Sequence, residues 1–265
     1  MTHDAFTFHT VNHATRPIES DPESYRCPGA PDGSEAVVVW GLTARPPFRW
    51  IDVKLSRRLL TFSLVGVVLT PQAQGVVERI QGFYEGTRDI RGQFSQRVEL
   101  AMGQVEEAQG SFYLKRPGMM RWEYERPERR LLVTDGATLW AYTPVDRQVI
   151  VQDLKAALAS VPFDFLVGAG KLTDHFIVQR VTVQEDCYRM VLTPRRPDPH
   201  VRELEMEVEA PTLYVRSLTL EDPYDNRTFM QFSDLRVNSD LPADLFSFVP
   251  PPGVKTLRAE DLYPQ

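Results

Sequence analysis

The chain has 265 residues, a formal net charge of -6 at pH 7, 25% charged residues and 42% hydrophobic residues. This composition is that of an ordinary globular protein with enough apolar side chains for one or two packed domains. An acidic chain lacks the basic surface that phosphate binding requires, so no nucleic acid is expected as a partner. The two cysteines, Cys27 and Cys187, are too far apart for a Cys-x-x-Cys metal site. We expect neither a cofactor nor a metal.

Residues 53–75 have the order of parts that is typical of a secretory signal peptide. Basic residues at the start precede an apolar run over residues 59–69, and small and polar residues follow it. The apolar run is shorter than the roughly 20 residues that a membrane-spanning helix needs. We expect cleavage after Gly75 or after Ala73. No cysteine follows where a lipid anchor would require one, so the mature protein is expected to be free in the periplasm.

Residues 1–52 precede this signal, although a signal peptide should begin the chain. They are rich in Pro, His and Asp and show no sustained periodicity. The simplest interpretation is that Val53 is the true start and that residues 1–52 are not part of the native protein. The alternative is a genuine disordered extension.

The mature part, residues 76–265, opens with an amphipathic helix. Its apolar residues recur at helical spacing: Val76, Val77, Ile80, Phe83, Tyr84 and Ile90. Charged and polar residues occupy the other side. The apolar face must cover another surface, and the pattern does not distinguish a lid over a binding site from an ordinary cap on a core.

Beyond this helix the period falls to two, which predicts half-buried strands near Phe94 and near Trp122. Residues 131–134 and 138–142 flank Asp135-Gly136, a dipeptide that favours a tight hairpin turn. Further strands are predicted at 148–151, 176–183, 188–193, 204–208, 213–221, 228–237 and 246–249. Many short strands indicate one antiparallel sheet that is curled into a barrel or sandwich.

Residues 153–170 interrupt this pattern with helical spacing. Pro162 divides the segment and favours two short helices, with the proline at the start of the second. Together with the opening helix, such an apolar insertion could plug the mouth of an unclosed barrel.

Five stretches resemble the outer-membrane lipoprotein carrier family, LolA. They are GQFSQ at 92–96, KRPGMMRWEY at 115–124, LLVTDGATLWAYTP at 131–144, VPFDFLVG at 161–168 and FSFVPPPGV at 246–254. The resemblance covers about residues 76–258. It implies an eleven-stranded, incomplete (open) antiparallel β-barrel covered by short α-helices. It also implies a monomeric, non-enzymatic carrier whose cargo is acylated lipoproteins, received from an inner-membrane ABC lipoprotein-releasing transporter and passed to an outer-membrane acceptor lipoprotein.

The resemblance also implies site residues. Arg116, in the Lys-Arg-Pro motif, would hold the empty cavity shut by hydrogen-bonding backbone carbonyls of the lid. The other candidates come from the apolar residues of the predicted strands and helices. Candidate lining residues are Phe94, Val98, Leu100, Phe112, Met120, Trp122, Leu139, Trp140, Met190, Met206, Phe229 and Phe232; candidate lid residues are Ile80, Phe83, Leu154, Leu158, Phe163 and Leu166. Which strand face lines the cavity stays open, as does the alternative that many of these residues are plain core.

The sequence is also compatible with other functions. The strongest candidate for catalytic residues is the pair Asp174-His175. The sequence has no nucleophile elbow, His-Glu-x-x-His or phosphate-binding loop, so catalysis is not expected. A periplasmic lipid- or lipoprotein-binding sensor of the same fold is one alternative. A glycolipid or phospholipid shuttle is another, and it would use the same cavity.

Overall fold

The computed structural model describes residues 70–154 and 171–262. The chain divides into Met1–Asp52 and Val53–Gln265, and every described residue belongs to the second unit. The described helices are α1 (Pro71–Gly86), α2 (Leu172–His175), a 3-10 helix (Ala243–Phe246) and α3 (Ala259–Leu262). The described strands are β1 (Asp89–Glu99), β2 (Val105–Lys115), β3 (Met119–Arg126), β4 (Arg130–Asp135), β5 (Thr138–Thr143), β6 (Gln148–Asp153), β7 (Phe176–Val183), β8 (Cys187–Pro194), β9 (Glu203–Glu209), β10 (Val215–Glu221), β11 (Arg227–Val237) and β12 (Lys255–Arg258).

These strands form one sheet in the order β12-β6-β5-β4-β3-β2-β1-β11-β10-β9-β8-β7. Strand β12 runs parallel to β6, and the other neighbouring strands pair in antiparallel fashion. The terminal strands of this order do not pair with each other, so the sheet is open. The expected mainly β, open antiparallel architecture is confirmed. The implied count of eleven strands is exceeded by one, because four residues near the C-terminus form β12 at an edge.

Helix α1 begins before the predicted mature start. Thr70 is its N-cap, and the Thr70 Oγ1 accepts a hydrogen bond from the Ala73 N–H at 3.3 Å. Pro71 follows the cap, where the missing N–H of a proline costs no helical hydrogen bond. The two expected cleavage positions, after Ala73 and after Gly75, therefore fall in the first turns of this helix.

The end of α1 differs from the sequence prediction, which had included Ile90. The helix stops at Gly86, because Thr87 takes an extended conformation and its N–H donates to the Tyr84 carbonyl at 3.2 Å. The Thr87 hydroxyl also donates to the Phe83 carbonyl at 2.8 Å. Ile90 consequently lies in β1, where it is buried.

The predicted hairpin at Asp135-Gly136 is confirmed, with β4 and β5 as its two strands. Gly136 has a φ of 98°, a conformation that glycine adopts without steric cost. The Asp135 carboxylate closes the turn by accepting hydrogen bonds from the N–H groups of Ala137 and Thr138, both at 2.9 Å.

Three other parts of the chain differ from the sequence prediction. The sequence pattern gives no bounds for β2 or β12, and the strand predicted at 246–249 is wrong. The 3-10 helix, Ala243–Phe246, ends where that strand was expected to start. Of the predicted insertion at 153–170, positions 155–170 lie outside the described residues.

The sheet has two distinct faces. We call the face that packs against α1 the inner face; it carries Phe94, Met190 and Met206, and it forms the main core together with the helix. The C-terminal segment packs on the opposite, outer face, where Phe246 is buried and the Phe248 ring lies 5.4 Å from that of Tyr142. The main core and the C-terminal packing therefore lie on opposite faces.

Candidate functional site

Five aromatic side chains meet on the inner face of β1, β2, β3 and β11. We call this group, Phe94, Phe112, Trp122, Tyr124 and Phe232, the aromatic floor. Ring centroids are 4.6 Å apart for Phe94 and Trp122, 5.1 Å for Phe112 and Trp122, and 5.3 Å for Phe112 and Phe232. Tilted, stacked and edge-on contacts of this kind favour close packing of large rings. The floor is a broad apolar surface at the centre of the sheet.

Two glycines make room for these rings. Gly110 lies opposite Phe94, and a Cβ at this position would come within 3.1 Å of the Phe94 ring. Gly92 lies opposite Phe112, and a Cβ there would come within 3.0 Å of the Phe112 ring. Because neither position carries a side chain, aromatic rings from neighbouring strands extend over them.

Methionines continue the apolar surface toward the α1-covered half of the sheet. Cross-strand pairing places Met190 opposite Met206, Met206 opposite Leu218, and Leu218 opposite Met230. Met190 and Met206 are fully buried, and Met230 is 7% exposed. Methionine side chains are flexible and polarizable, so they adapt to ligands of varied shape.

Helix α1 is fixed over this part of the inner face by polar contacts as well as by packing. The Val215 N–H donates to the Tyr84 hydroxyl oxygen at 2.9 Å, and this hydroxyl is buried. Burial raises the pKa of Tyr84 above its ordinary value. Nearer the start of the helix, Arg79 Nη1 donates to the Tyr188 hydroxyl at 3.1 Å. The helix is thus attached to β8 and β10.

Arg116 follows β2 directly and lies close to the end of α1. Its backbone N–H donates to the Arg88 carbonyl at 2.9 Å. Burial lowers the pKa of its guanidinium group, and the Glu85 carboxylate on α1 opposes that effect. Glu85 also forms an ion pair with Lys171 at 3.7 Å. Lys171 is therefore close to the Glu85 carboxylate, which also acts on Arg116.

The other end of the interval 155–170 also lies near the turn that contains Arg116. An added Cβ at Gly118 would be 3.3 Å from Gly136 Cα and 3.6 Å from a methyl carbon of Leu154. Leu154 is buried in a small cluster with Leu139 and Met120. Leu154, just before residues 155–170, therefore lies near the β2–β3 turn that contains Arg116. Lys171, just after them, lies near Glu85, which acts on Arg116.

Most of the predicted lining residues share the inner face. Strand register places Phe94, Val98, Phe112, Met120, Trp122, Leu139, Met190, Met206 and Phe232 there. Trp140 and Phe229 point to the outer face, because each is an odd number of positions from an inward-facing residue of its own strand. Leu100 lies in the loop after β1. These three residues do not line the inner face.

The predicted lid residues divide between described and undescribed positions. Ile80 is buried and Phe83 is half-buried on α1, both in contact with the main core. Leu154 is buried beside Leu139. Leu158, Phe163 and Leu166 lie outside the described residues.

Two polar groups on the inner face, Gln96 and Tyr124, are not among the predicted site residues. The Tyr124 hydroxyl donates to Gln96 Oε1 at 3.1 Å, across β2 from β3 to β1. Burial raises the pKa of Tyr124 to about 12, and the nearby Arg130 charge and Trp122 indole oppose the shift. The signal for both residues was present, since each continues the period-two pattern that contains Trp122 or Phe94.

Among residues 70–154 and 171–262, no group of three or more His, Cys, Asp and Glu side chains is arranged to hold a metal ion. No helix in these ranges is long and apolar enough to span a bilayer.

Comparison with known proteins identifies the family to which the chain is similar. Residues 85–249 match the family model of "Outer membrane lipoprotein carrier protein LolA". The chain is 32% identical to the outer-membrane lipoprotein carrier protein of Chromobacterium violaceum over 203 residues, which is 76% of this chain and 97% of that protein. It is 34% identical to the carrier of Chromohalobacter salexigens over 193 residues, with coverages of 72% and 90%.

A crystal structure of a LolA superfamily protein from Nitrosomonas europaea also matches, at 13% identity and a TM-score of 0.42, covering 66% of this chain and 97% of that one. The family assignment depends on the sequence matches, which extend over most of the sheet. The chain therefore belongs to the outer-membrane lipoprotein carrier family, LolA.

Proposed function

We propose that this protein is a periplasmic carrier that binds the acyl chains of lipoproteins between the inner face of its sheet and its helices, and that it acts by binding and release, without catalysis. The observation that carries the proposal is the continuous apolar surface from the aromatic floor to the methionines. The curated relatives named as lipoprotein carriers support the cargo class.

The physical need for such a surface is large. Exposure of an acyl chain to water costs about 0.8 kcal/mol per methylene, so three long chains cost on the order of 30 kcal/mol. No lipoprotein crosses an aqueous compartment unprotected at that cost. A carrier must offer an apolar surface that is covered when empty and accessible when loaded.

The route of the cargo belongs to the same proposal. The protein would act as a monomer, receive lipoproteins from an inner-membrane ABC transporter and deliver them toward an outer-membrane acceptor. Residues 53–75 would direct its export as a cleaved signal, and residues 1–52 would have no part in the mature carrier. The charged, apolar and small-residue order of residues 53–75 supports export.

Binding at the inner face is tested with two phenylalanines of β11. Phe232 faces inward and Phe229 faces outward, and both are half-buried. We expect Phe232→Gln to weaken binding of a fluorescent triacylated cysteine peptide about tenfold, because it puts an amide where chains would lie. Phe229→Gln is the matched control and should bind as the unmodified protein does.

Circular dichroism and thermal unfolding would establish that both variants are folded. Equal binding by the two variants would overturn the assignment of the inner face. If the unmodified protein itself does not bind the peptide, but does bind phospholipid or glycolipid, the shuttle alternative takes the place of the carrier.

We also propose that Arg116 is a latch that holds the empty carrier closed. The guanidinium group has five fixed donors and can satisfy several backbone carbonyls at once. The position supports this role in two ways. The Glu85 carboxylate of α1 acts on Arg116 and also pairs with Lys171. Leu154 lies beside Gly118, two residues after Arg116. A few such hydrogen bonds are worth a few kcal/mol, which binding of cargo can overcome.

Hydrogen exchange of the cargo-free protein tests the latch. Arg116→Leu should speed exchange of amides in residues 155–170, and Arg116→Lys should have an intermediate effect. Arg88→Leu, at a neighbouring side chain that is 70% exposed, is the control and should leave exchange unchanged. Unaltered protection in Arg116→Leu would refute the latch.

A further inference from the structure

One polar group in the aromatic floor has no hydrogen-bond partner among the residues that the structure describes. The Trp122 Nε1–H is buried, and no acceptor within residues 70–154 and 171–262 satisfies hydrogen-bond geometry with it. The rings of Phe94 and Phe112 pack against this indole at 4.6 and 5.1 Å. A buried N–H without an acceptor is unfavourable, and buried groups of this kind are uncommon in native proteins.

The nearby Tyr124 hydroxyl does not serve as the acceptor for this N–H. The Tyr124 hydroxyl is close enough for the indole to lower its pKa, but it donates its own proton to Gln96 Oε1 and does not accept from Nε1 in good geometry. Trp122 itself faces Phe112 on β2 and Leu132 on β4 across the strands. Within the described part of the chain, the indole N–H is therefore a donor without an acceptor on an apolar surface.

We propose that Trp122 donates its indole N–H to an ester carbonyl of a bound acyl chain; this inference rests on the proposed carrier function. The methylenes of an acyl chain accept no hydrogen bond, whereas the ester carbonyls that link two of the three chains to the glyceryl group do. The buried indole N–H of Trp122 would hold the ester carbonyl beside β3. The methylenes then lie against the rest of the floor and the methionines.

The arrangement gives the carrier a means of selecting ester-linked chains. A site with a buried donor rejects a ligand that lacks the matching acceptor, because the donor then stays unsatisfied in the complex. A purely apolar surface would bind ester-linked and ether-linked chains alike.

The test compares two synthetic lipopeptides in binding to the whole protein. One carries two ester-linked palmitoyl chains and one amide-linked chain on its cysteine, and the other has ethers in place of the two esters. We expect the unmodified protein to bind the ester form about five- to tenfold more tightly. Trp122→Phe keeps an aromatic ring without the N–H and should bind both forms equally.

Trp140→Phe is the matched control, because Trp140 lies on the outer face and packs with Phe248. This variant should retain the full ester preference. The indole N–H resonance that disappears in Trp122→Phe should move downfield when the ester lipopeptide binds and should move less with the ether form.

Two results would overturn the inference while leaving the carrier in place. One is the same ester preference in Trp122→Phe as in the unmodified protein, and the other is no ester preference in the unmodified protein. Failure of the unmodified protein to bind either lipopeptide would instead refute the proposed function itself.

Discussion

At the scale of single residues, the inner face places a few polar groups among large apolar side chains. Tyr124 is the clearest example, because its hydroxyl is buried and yet bonded to Gln96. Burial disfavours the phenolate, which raises the pKa of Tyr124 from 10.0 to about 12. This shift makes the stability of the protein depend on pH in the alkaline range.

The expected direction follows from proton binding in the two states. Between about pH 10 and about pH 12 the unfolded chain has lost the Tyr124 proton and the folded protein has kept it, so the free energy of unfolding falls as pH rises. Below pH 10 this tyrosine contributes no pH dependence. Tyr124→Phe should reduce the loss by up to roughly 2–3 kcal/mol, measured by urea unfolding at several pH values.

Tyr224→Phe is the control for this experiment, because Tyr224 is 66% exposed. It should leave the alkaline decline unchanged. A decline in Tyr124→Phe as steep as that of the unmodified protein would contradict the burial of this hydroxyl.

The sequence predicts which apolar strand residues could form the candidate site, but it does not predict which face of the sheet each of them occupies. Leu139 and Trp140 are adjacent in β5, so they cannot line the same surface, and the composition of the run does not say which one faces inward. The face is set by contacts between distant elements, such as Leu139 with Leu154 and Trp140 with Phe248. Gln96 and Tyr124 share the alternation of Phe94 and Trp122, but they were not predicted to line the cavity because polar side chains are not expected on a buried face.

At the scale of secondary-structure elements, glycines with different surroundings should respond in opposite ways to the same substitution. Gly82 lies on the exposed side of α1 with open space around it, so Gly82→Ala should stabilise the protein by about 0.5–1 kcal/mol. Gly110 lies where an added Cβ would overlap the backbone carbonyl oxygen of Glu123 and crowd the Phe94 ring.

Gly110→Ala should therefore destabilise the protein by about 1–3 kcal/mol, as overpacking does in other cores. Urea unfolding of the two variants measures both changes. A neutral Gly110→Ala would show that β2 and β3 separate easily at this point.

The elements that the sequence predicted well have strong local signals. The Asp135-Gly136 hairpin depends on a turn that only a few residue types adopt, and α1 has a regular apolar stripe. Strand β2 lacks such a signal, because its first half is polar and Gly110 interrupts the alternation. It is a strand because it pairs with its neighbours β1 and β3, and its own sequence pattern does not indicate that pairing.

The mistaken strand at 246–249 shows the opposite problem. Its aromatic residues suggested a strand, but Pro250 and Pro251 follow directly and cannot donate to a sheet ladder. Phe246 and Phe248 are instead held by side-chain packing on the outer face. The short strand β12 forms only after this segment, through parallel pairing with β6 that no local pattern indicates.

At the scale of the whole molecule, the open sheet accounts for the proposed function. A sheet closed on itself fills its interior with its own side chains or encloses a fixed cavity. Here the sheet ends at β7 and β12, and a separate helix, α1, covers part of its inner face. An apolar surface covered by a separate element can be exposed to cargo without breaking the strand pairing.

Native mass spectrometry of the protein purified from the periplasm of its own cells tests the central claim most directly, because one spectrum reports location, processing and cargo. The account predicts a mature chain that begins at Gln74 or Val76, in part bound to triacylated lipoproteins. A periplasmic protein that carries only free lipid, or that stays empty when lipoproteins are supplied, would contradict the proposed lipoprotein carrier.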